Sequence, residues 1–222
     1  MFRVVSFPKT GRTRIRYLFH MIGYHKIEFT HDGFGFNKPF DFNFSRRIIE
    51  YQNDKILFLA RDPKDTIISL YYQNTKRDAF FIGTLKEFIR DETFGIKTMI
   101  KFYGLWLRIL ENSGCKFRIA HYEDFSEIAL ASILNFFSIE LTKKEIHTLY
   151  MQSAFKKMKA VEQKNDFPFP WLRARDLSDA ETFKCRQGKI GGYKDILDQS
   201  DIELINNEIC KTFNPFLNRY VP

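Results

Sequence analysis

Two kinds of apolar run alternate along this chain. The first kind is short and continuous. Val4-Val5 leads into Ser6-Phe7, and Ile56-Leu57-Phe58-Leu59-Ala60 follows Lys55. An uninterrupted run of this length marks a strand covered on both faces, as in a parallel sheet. Lys26–Asp32 and Lys116–Tyr122 read as two further strands. The second kind repeats at helical spacing. Ile15, Leu18, Phe19 and Ile22 share one face, as do Ile96, Met99, Ile100, Tyr103, Leu107 and Leu110, and then Leu130, Ile133, Leu134 and Phe137. Gly23 and Gly114 stop the first two of these helices. Asp62-Pro63 is a cap followed by a good first helical residue, so a helix runs on through Tyr72. Thr142-Lys143-Lys144-Glu145 is a capping box that opens another, and Asp201–Phe213 forms the last. Strands alternating with helices predict a single three-layer α/β domain over residues 1–222, a mostly parallel central sheet flanked by helices.

Two segments escape this pattern. Gly33–Phe44 alternates Phe with Gly, Asn, Asp and Lys and is too broken for a regular element. It lines an acceptor pocket or packs on the core. Gln163–Lys184 is a long irregular connection carrying Phe167, Phe169 and Trp171, the character of a lid or binding loop.

Composition narrows the partners. The chain has 222 residues with 44% hydrophobic content, enough for one substantial core. Its net charge of +8 favours anionic partners. The cations are scattered among acids with no basic arm, so nucleic acid is not expected. No run is long enough to span a bilayer, and the N-terminus lacks a signal-peptide core, which predicts a cytoplasmic protein without a membrane span. Cys115, Cys185 and Cys210 are odd in number and far apart, so they read as reduced thiols. The histidines show no ligand spacing, and no metal is expected.

The chemistry gathers at strand ends. Pro8-Lys9-Thr10-Gly11-Arg12-Thr13 joins the first strand to the first helix. Such a turn aims backbone N–H groups and the positive end of a helix at one point, an anion site for phosphate or sulfate. Lys9 adds a mobile charge, and the hydroxyls of Thr10 and Thr13 add donors. Arg61 ends the Lys55–Ala60 strand, where open α/β sheets bind ligands, and Ser69 lies two turns into the next helix. Each has a structural alternative, a salt bridge for Arg61 and helix packing for Ser69. Cys185-Arg186-Gln187-Gly188-Lys189-Ile190-Gly191-Gly192 combines cations with glycines that permit close approach to an anion, or forms a basic surface turn. His31 ends the second strand, and its ordinary pKa of about 6.5 suits a general base.

These segments, in this order, resemble the sulfotransferases that use PAPS (3′-phosphoadenosine 5′-phosphosulfate). The likeness covers Val4 to Lys194. Ser6–Thr13 stands where that family has a P-K-S-G-T-T-like loop for the 5′-phosphosulfate. Thr30-His31 matches part of K-T-H. Arg61–Asp65 with Ser69 matches an R-x-x-x-D segment and a Ser that bind the 3′-phosphate. Arg186-Gln187-Gly188 matches a closing R-K-G loop. Tyr122-Glu123-Asp124 is similar to the family's Y-E-D, and Ser153-Ala154-Phe155 to its T-S-F. The resemblance implies a P-loop-NTPase-like sulfotransferase fold, PAPS as co-substrate, and transfer of its sulfuryl group to a hydroxyl of a small-molecule, sugar or lipid acceptor. It implies that Lys9, Thr10, Gly11, Arg12, Thr13, Arg14, Arg61, Ser69, Tyr122, Ser153, Phe155, Arg186, Gln187 and Gly188 hold the cofactor. His31, Lys9 and Ser69 are its catalytic set. Ser69 would draw Lys9 aside until acceptor binds, and Asp32 would replace or orient His31.

Five positions depart from that pattern. Arg14 replaces an aromatic that stacks on adenine, Phe29 the Lys of K-T-H, Gln187 the Lys of R-K-G, and Gly192-Tyr193 the end of G-D-W. The family's dimer pattern is not kept. Two other readings stay open, a nucleotide-dependent phosphotransferase and a non-catalytic anion-binding relative.

Overall fold

The computed structural model describes residues 1–34 and 43–222. The expected acceptor-pocket or core-packing segment, Gly33–Phe44, therefore lies largely outside the described residues. Four parallel strands, β1 (Phe2–Ser6), β2 (Ile27–Thr30), β3 (Lys55–Ala60) and β4 (Lys116–His121), lie in the order β2-β1-β3-β4. All described carboxyl ends thus face the same way, and the turns that leave them share one rim. Successive residues of β3 serve opposite layers, as the pleat demands. Ile56, Phe58 and Ala60 join a core with helices α3 (Pro63–Tyr72), α4 (Leu85–Arg90), α5 (Ile96–Asn112) and α9 (Gln199–Cys210). Leu57 and Leu59 join the core under α1 (Arg12–Met21), α6 (Glu127–Phe136) and α7 (Lys143–Gln152). This is the three-layer α/β arrangement expected from the alternation of runs.

The strongest local signals hold. Asp62 accepts from the Lys64 N–H at the start of α3, and Thr142 and Glu145 close a capping box on α7. Three helices go beyond the pattern that was read: α2 (Phe44–Tyr51), α4 and α8 (Phe155–Lys164). A second capping box, Thr84 with Glu87, opens α4. Beyond α3 the helix widens into a π turn, Gln73–Arg77.

Helix α2 anchors the end of β2. Arg47, 1% exposed, donates through Nε to the Asp32 carboxylate at 2.7 Å and through Nη2 to the Asp32 carbonyl at 3.0 Å. The Tyr51 hydroxyl donates to the other carboxylate oxygen at 2.6 Å. Asp32 is therefore committed to the core side and does not orient the imidazole of His31, contrary to the expectation. Its backbone is left-handed (φ 46), which ends the strand at Thr30. Removing one partner of a buried pair leaves an uncompensated charge, so Arg47→Met should lower the unfolding free energy by about 3–5 kcal/mol. Urea denaturation measures this; a loss under about 1 kcal/mol, the size of an exposed pair, would contradict it.

Candidate functional site

A cavity of about 170 Å³ opens along the rim of the sheet, and residues from every strand exit line it. The turn after β1 forms its floor. Lys9 (φ 70) and Gly11 (φ 93) both have positive φ while Thr10 between them does not, a backbone reversal of the kind that forms anion-binding turns. No side chain caps α1 at Gly11, so its first N–H groups are left open. A Cβ on Gly11 would meet the Tyr122 ring at 2.6 Å, so the position demands glycine for both its φ and its neighbour. Thr13 lines the cavity, but Thr10 does not. The Thr10 hydroxyl donates to the Phe7 carbonyl at 2.8 Å and closes the turn, so it is not the free donor expected.

Cations converge on this floor. The Lys9 ammonium donates to Oε1 of Gln73 at 3.1 Å, and Lys184 donates to the same oxygen at 3.1 Å. Burial and the charges of Lys184, Arg77 and Arg61 push the Lys9 amine well below its ordinary range. Burial and Arg77 bring Lys184 down to about 8. Arg61 donates through Nη1 to the Lys9 carbonyl at 3.0 Å and stacks on Tyr122 at 4.4 Å, yet its buried Nε has no partner. Asp65 is 3.9 Å from Arg61, but its carboxylate accepts the N–H groups of Gly191 and Tyr193 at 2.8 and 2.9 Å. It thereby ties the C-terminal glycine loop to α3. Asp65 is the one carboxylate among the described lining residues.

The far wall is built from α8 and the same loop. Gly188 (φ 65) lies so close to Phe155 that a Cβ would meet the ring at 2.3 Å. Arg186 stacks over Tyr72 at 3.8 Å, with Gln187 beside it on the lining. Ser153 is fully buried and accepts from Nε of Arg14 at 3.3 Å. The Arg14 guanidinium covers the Phe125 ring at 4.1 Å while still bordering the cavity. Ser69 lines the cavity too. Lys9, however, rests on Gln73, one turn further along, rather than on Ser69 as expected.

His31 closes the opposite end. Its Nδ1 lies 2.8 Å from the Ser6 carbonyl. A carbonyl only accepts, so Nδ1 carries the proton and Nε2 is the basic nitrogen. Burial, and then the charge of Arg12, push the imidazole well below 6.5. This corrects the ordinary value assumed from sequence.

Sequence reading missed Lys184, Gln73 and Tyr72. Lys184 is placed by Glu162 on α8, whose buried carboxylate accepts the N–H groups of Lys184 and Cys185 at 2.6 and 2.8 Å. Only the position of Lys184 next to the glycine loop hinted at a role. Among the described residues no three His, Cys, Asp or Glu side chains gather closely enough to hold a metal.

A parallel α/β sheet with an uncapped helix and a cation-lined notch at its carboxyl edge forms a site suited to an anionic ligand at a strand–turn–helix junction. Residues 42–214 match the sulfotransferase domain family, and the chain belongs to that family. Human sulfotransferase 6B1 is 28% identical over 171 residues, covering 73% of this chain and 50% of its own length. The mouse protein of the same name is 25% identical over 170 residues, with the same shares covered. The chain thus spans about half the length of the curated relatives it matches. Among solved structures, mouse sulfotransferase SULT7A1 complexed with PAP superposes with a TM-score of 0.68 at 16% identity, covering 96% of this chain and 84% of that one. Retinol dehydratase, in complex with androsterone and the inactive cofactor PAP, gives 0.53 at 17% identity, covering 94% and 64%.

The imidazole assignment has a direct check. By NMR, His31 should titrate well below 6.5, and a midpoint at or above 6.5 would contradict the buried site. The unfolded chain binds that proton first, so the stabilisation is present above about pH 6.5 and is lost as pH falls below it. His31→Gln should flatten this part of the stability profile.

Proposed function

We propose that this chain, one domain over residues 1–222, transfers the sulfuryl group of PAPS to a hydroxyl of a small-molecule, sugar or lipid acceptor. The observation that carries the proposal is the convergence of Lys9, Lys184 and Arg61 on one buried notch, with an orphaned Arg61 Nε and, among the described lining residues, a single carboxylate, Asp65, which is already tied to backbone N–H groups. Such a notch is matched to a multiply anionic ligand. The PAP in the two solved relatives supports the identity of that ligand.

The residues divide by strand exit. The open N–H groups of Gly11, Arg12 and Thr13, with Lys9, suit the 5′-phosphosulfate. Arg61, Ser69, Arg186, Gln187 and the Gly188 backbone suit the 3′-phosphate, and Tyr122, Phe155, Ser153 and Arg14 suit the nucleoside between them. When bound, PAPS supplies an activated sulfuryl group. The acceptor oxygen forms a new bond to sulfur as the bond from sulfur to the phosphate oxygen breaks. His31 Nε2 takes the acceptor proton, and its low pKa keeps that nitrogen unprotonated at neutral pH. Lys9 and Lys184 are placed to stabilise charge on the departing phosphate, with Gln73 holding both ammonium groups until then. Free thiols at Cys115, Cys185 and Cys210 suit a cytoplasmic setting. A phosphotransferase has less support, because Asp65, the one carboxylate among the described lining residues, is tied to backbone N–H groups rather than free for Mg²⁺.

The test is acceptor-dependent release of PAP with formation of a sulfate ester. His31→Ala should slow turnover about 10²–10⁴-fold with PAP affinity kept. Full activity in that variant would remove His31 from the chemistry. Lys9→Ala should lower kcat more than PAP affinity.

Protonated Lys184 binds the anion, so kcat/KM for PAPS should fall as pH rises through about 8. Lys184→Arg should move that falling limb to higher pH, and an unmoved limb would exclude Lys184 as its source.

A further inference from the structure

Helix α1 carries two cationic side chains, Arg12 and Arg16, that have no part in the proposed cofactor site, which takes only the backbone N–H of Arg12. Arg12 and Arg16 stand one turn apart on the same face. Among the described residues, no carboxylate pairs with either one. Burial and the charge of Arg16 bring Arg12 down to about 9, and burial lowers Arg16 as well. A like-charged, partly desolvated pair is costly in the free protein and is relieved when an anion binds.

The sheet order shows on which side of the cavity this pair lies. The cavity runs along the rim in the order β2-β1-β3-β4. Arg61 and Tyr122 leave β3 and β4, on the side assigned to the nucleotide. His31 leaves β2, at the opposite edge, and Arg12 is the cation that acts most strongly on it. Arg16 lies over Phe29 of β2 at 5.0 Å and over Trp171 at 5.4 Å. Trp171 in turn stacks on Phe169, with ring centroids 6.1 Å apart and planes 11° apart. Arg12 therefore lies on the cavity lining with His31, away from the 3′-phosphate side, and Arg16 stands one turn further along α1 against Phe29 and Trp171, outside the lining itself.

We propose that the acceptor carries an acidic group, held by Arg12 and Arg16 while its hydroxyl meets His31. This rests on the sulfotransferase reading and narrows it: among small molecules, sugars and lipids, the substrate class is hydroxyl compounds bearing a carboxylate, sulfate or phosphate. The bound acid answers both guanidinium charges, and the aromatic wall covers the apolar part of the acceptor.

Matched probes test the idea. One pair is para-hydroxyphenylacetate and para-hydroxyphenylacetamide; the other is methyl glucuronide and methyl glucoside. Affinity is measured by calorimetry on the protein–PAP complex, and kcat/KM with PAPS. In at least one pair the acid should be favoured about tenfold or more, the effect of a hydrogen bond to a charged group. Arg12→Gln and Arg16→Gln should each bring that ratio to within about twofold of one, whatever their absolute rates. A ratio near one in the wild type, or one preserved in both variants, overturns the proposal. Equal slowing of acid and neutral probes by Arg12→Gln also overturns it, because Arg12 would then act on the transferring group. Failure of PAP itself to bind defeats the sulfotransferase reading. PAP binding without acid preference defeats the acceptor inference alone.

Discussion

The organising constraint of this protein is electrostatic: several cations converge at the carboxyl edge of a parallel sheet, and among the described residues that line their cavity there is one carboxylate, Asp65. Lys9 and Lys184 share a single amide oxygen of Gln73. Arg14 is held by a phenylalanine ring and a serine hydroxyl; Arg61 and Arg186 are held mainly by a backbone carbonyl and tyrosine rings, with Asp65 and Glu181 only at 3.9 and 3.6 Å. The short contacts are to neutral oxygens and aromatic faces, which fix the positions of these groups without cancelling their charge. A carboxylate in each place would have stabilised the free protein more and left nothing for a ligand. The local cost is met by the two apolar cores, which keep the strand exits in fixed register on both sides of the sheet.

That register assigns the functions. Because the described strands are parallel, their exits form a row, and each exit contributes one part of the cavity. Helix α3 links the row to the C-terminal loop through Asp65, and its π turn brings Gln73 under both lysines. A π turn inserts an extra residue into helical geometry, and such turns recur at functional sites. Glu162, buried on α8, sets the backbone of Lys184 from the other side. The site therefore depends on contacts between residues far apart in sequence.

This separation explains what the sequence disclosed. Strand β3, its Asp62-Pro63 exit and the turn at Gly11 are local, and their residue types state their geometry. The family's segments were legible for the same reason, since each is a short motif at a strand end. Lys184 was not legible, because nothing near it announces that Gln73 and Glu162 will reach it. Asp32 was misassigned because adjacency to His31 suggested a partnership. Arg47, from a helix the hydrophobic pattern did not reveal, draws its carboxylate into the core instead. The Thr10 hydroxyl was assigned to the ligand when the turn itself needed it. Burial likewise moved the His31 pKa, a property that sequence position alone does not set.

The central claim is that this notch reads a nucleotide with both a 5′ and a 3′ anionic group. Calorimetric titration with PAP tests it most directly, with ADP and with ATP plus Mg²⁺ as comparators. The account predicts binding in the micromolar range or tighter for PAP and much weaker binding for ADP, with the difference reduced in Arg61→Gln. Preference for ATP, or equal affinity for PAP and ADP, would contradict it.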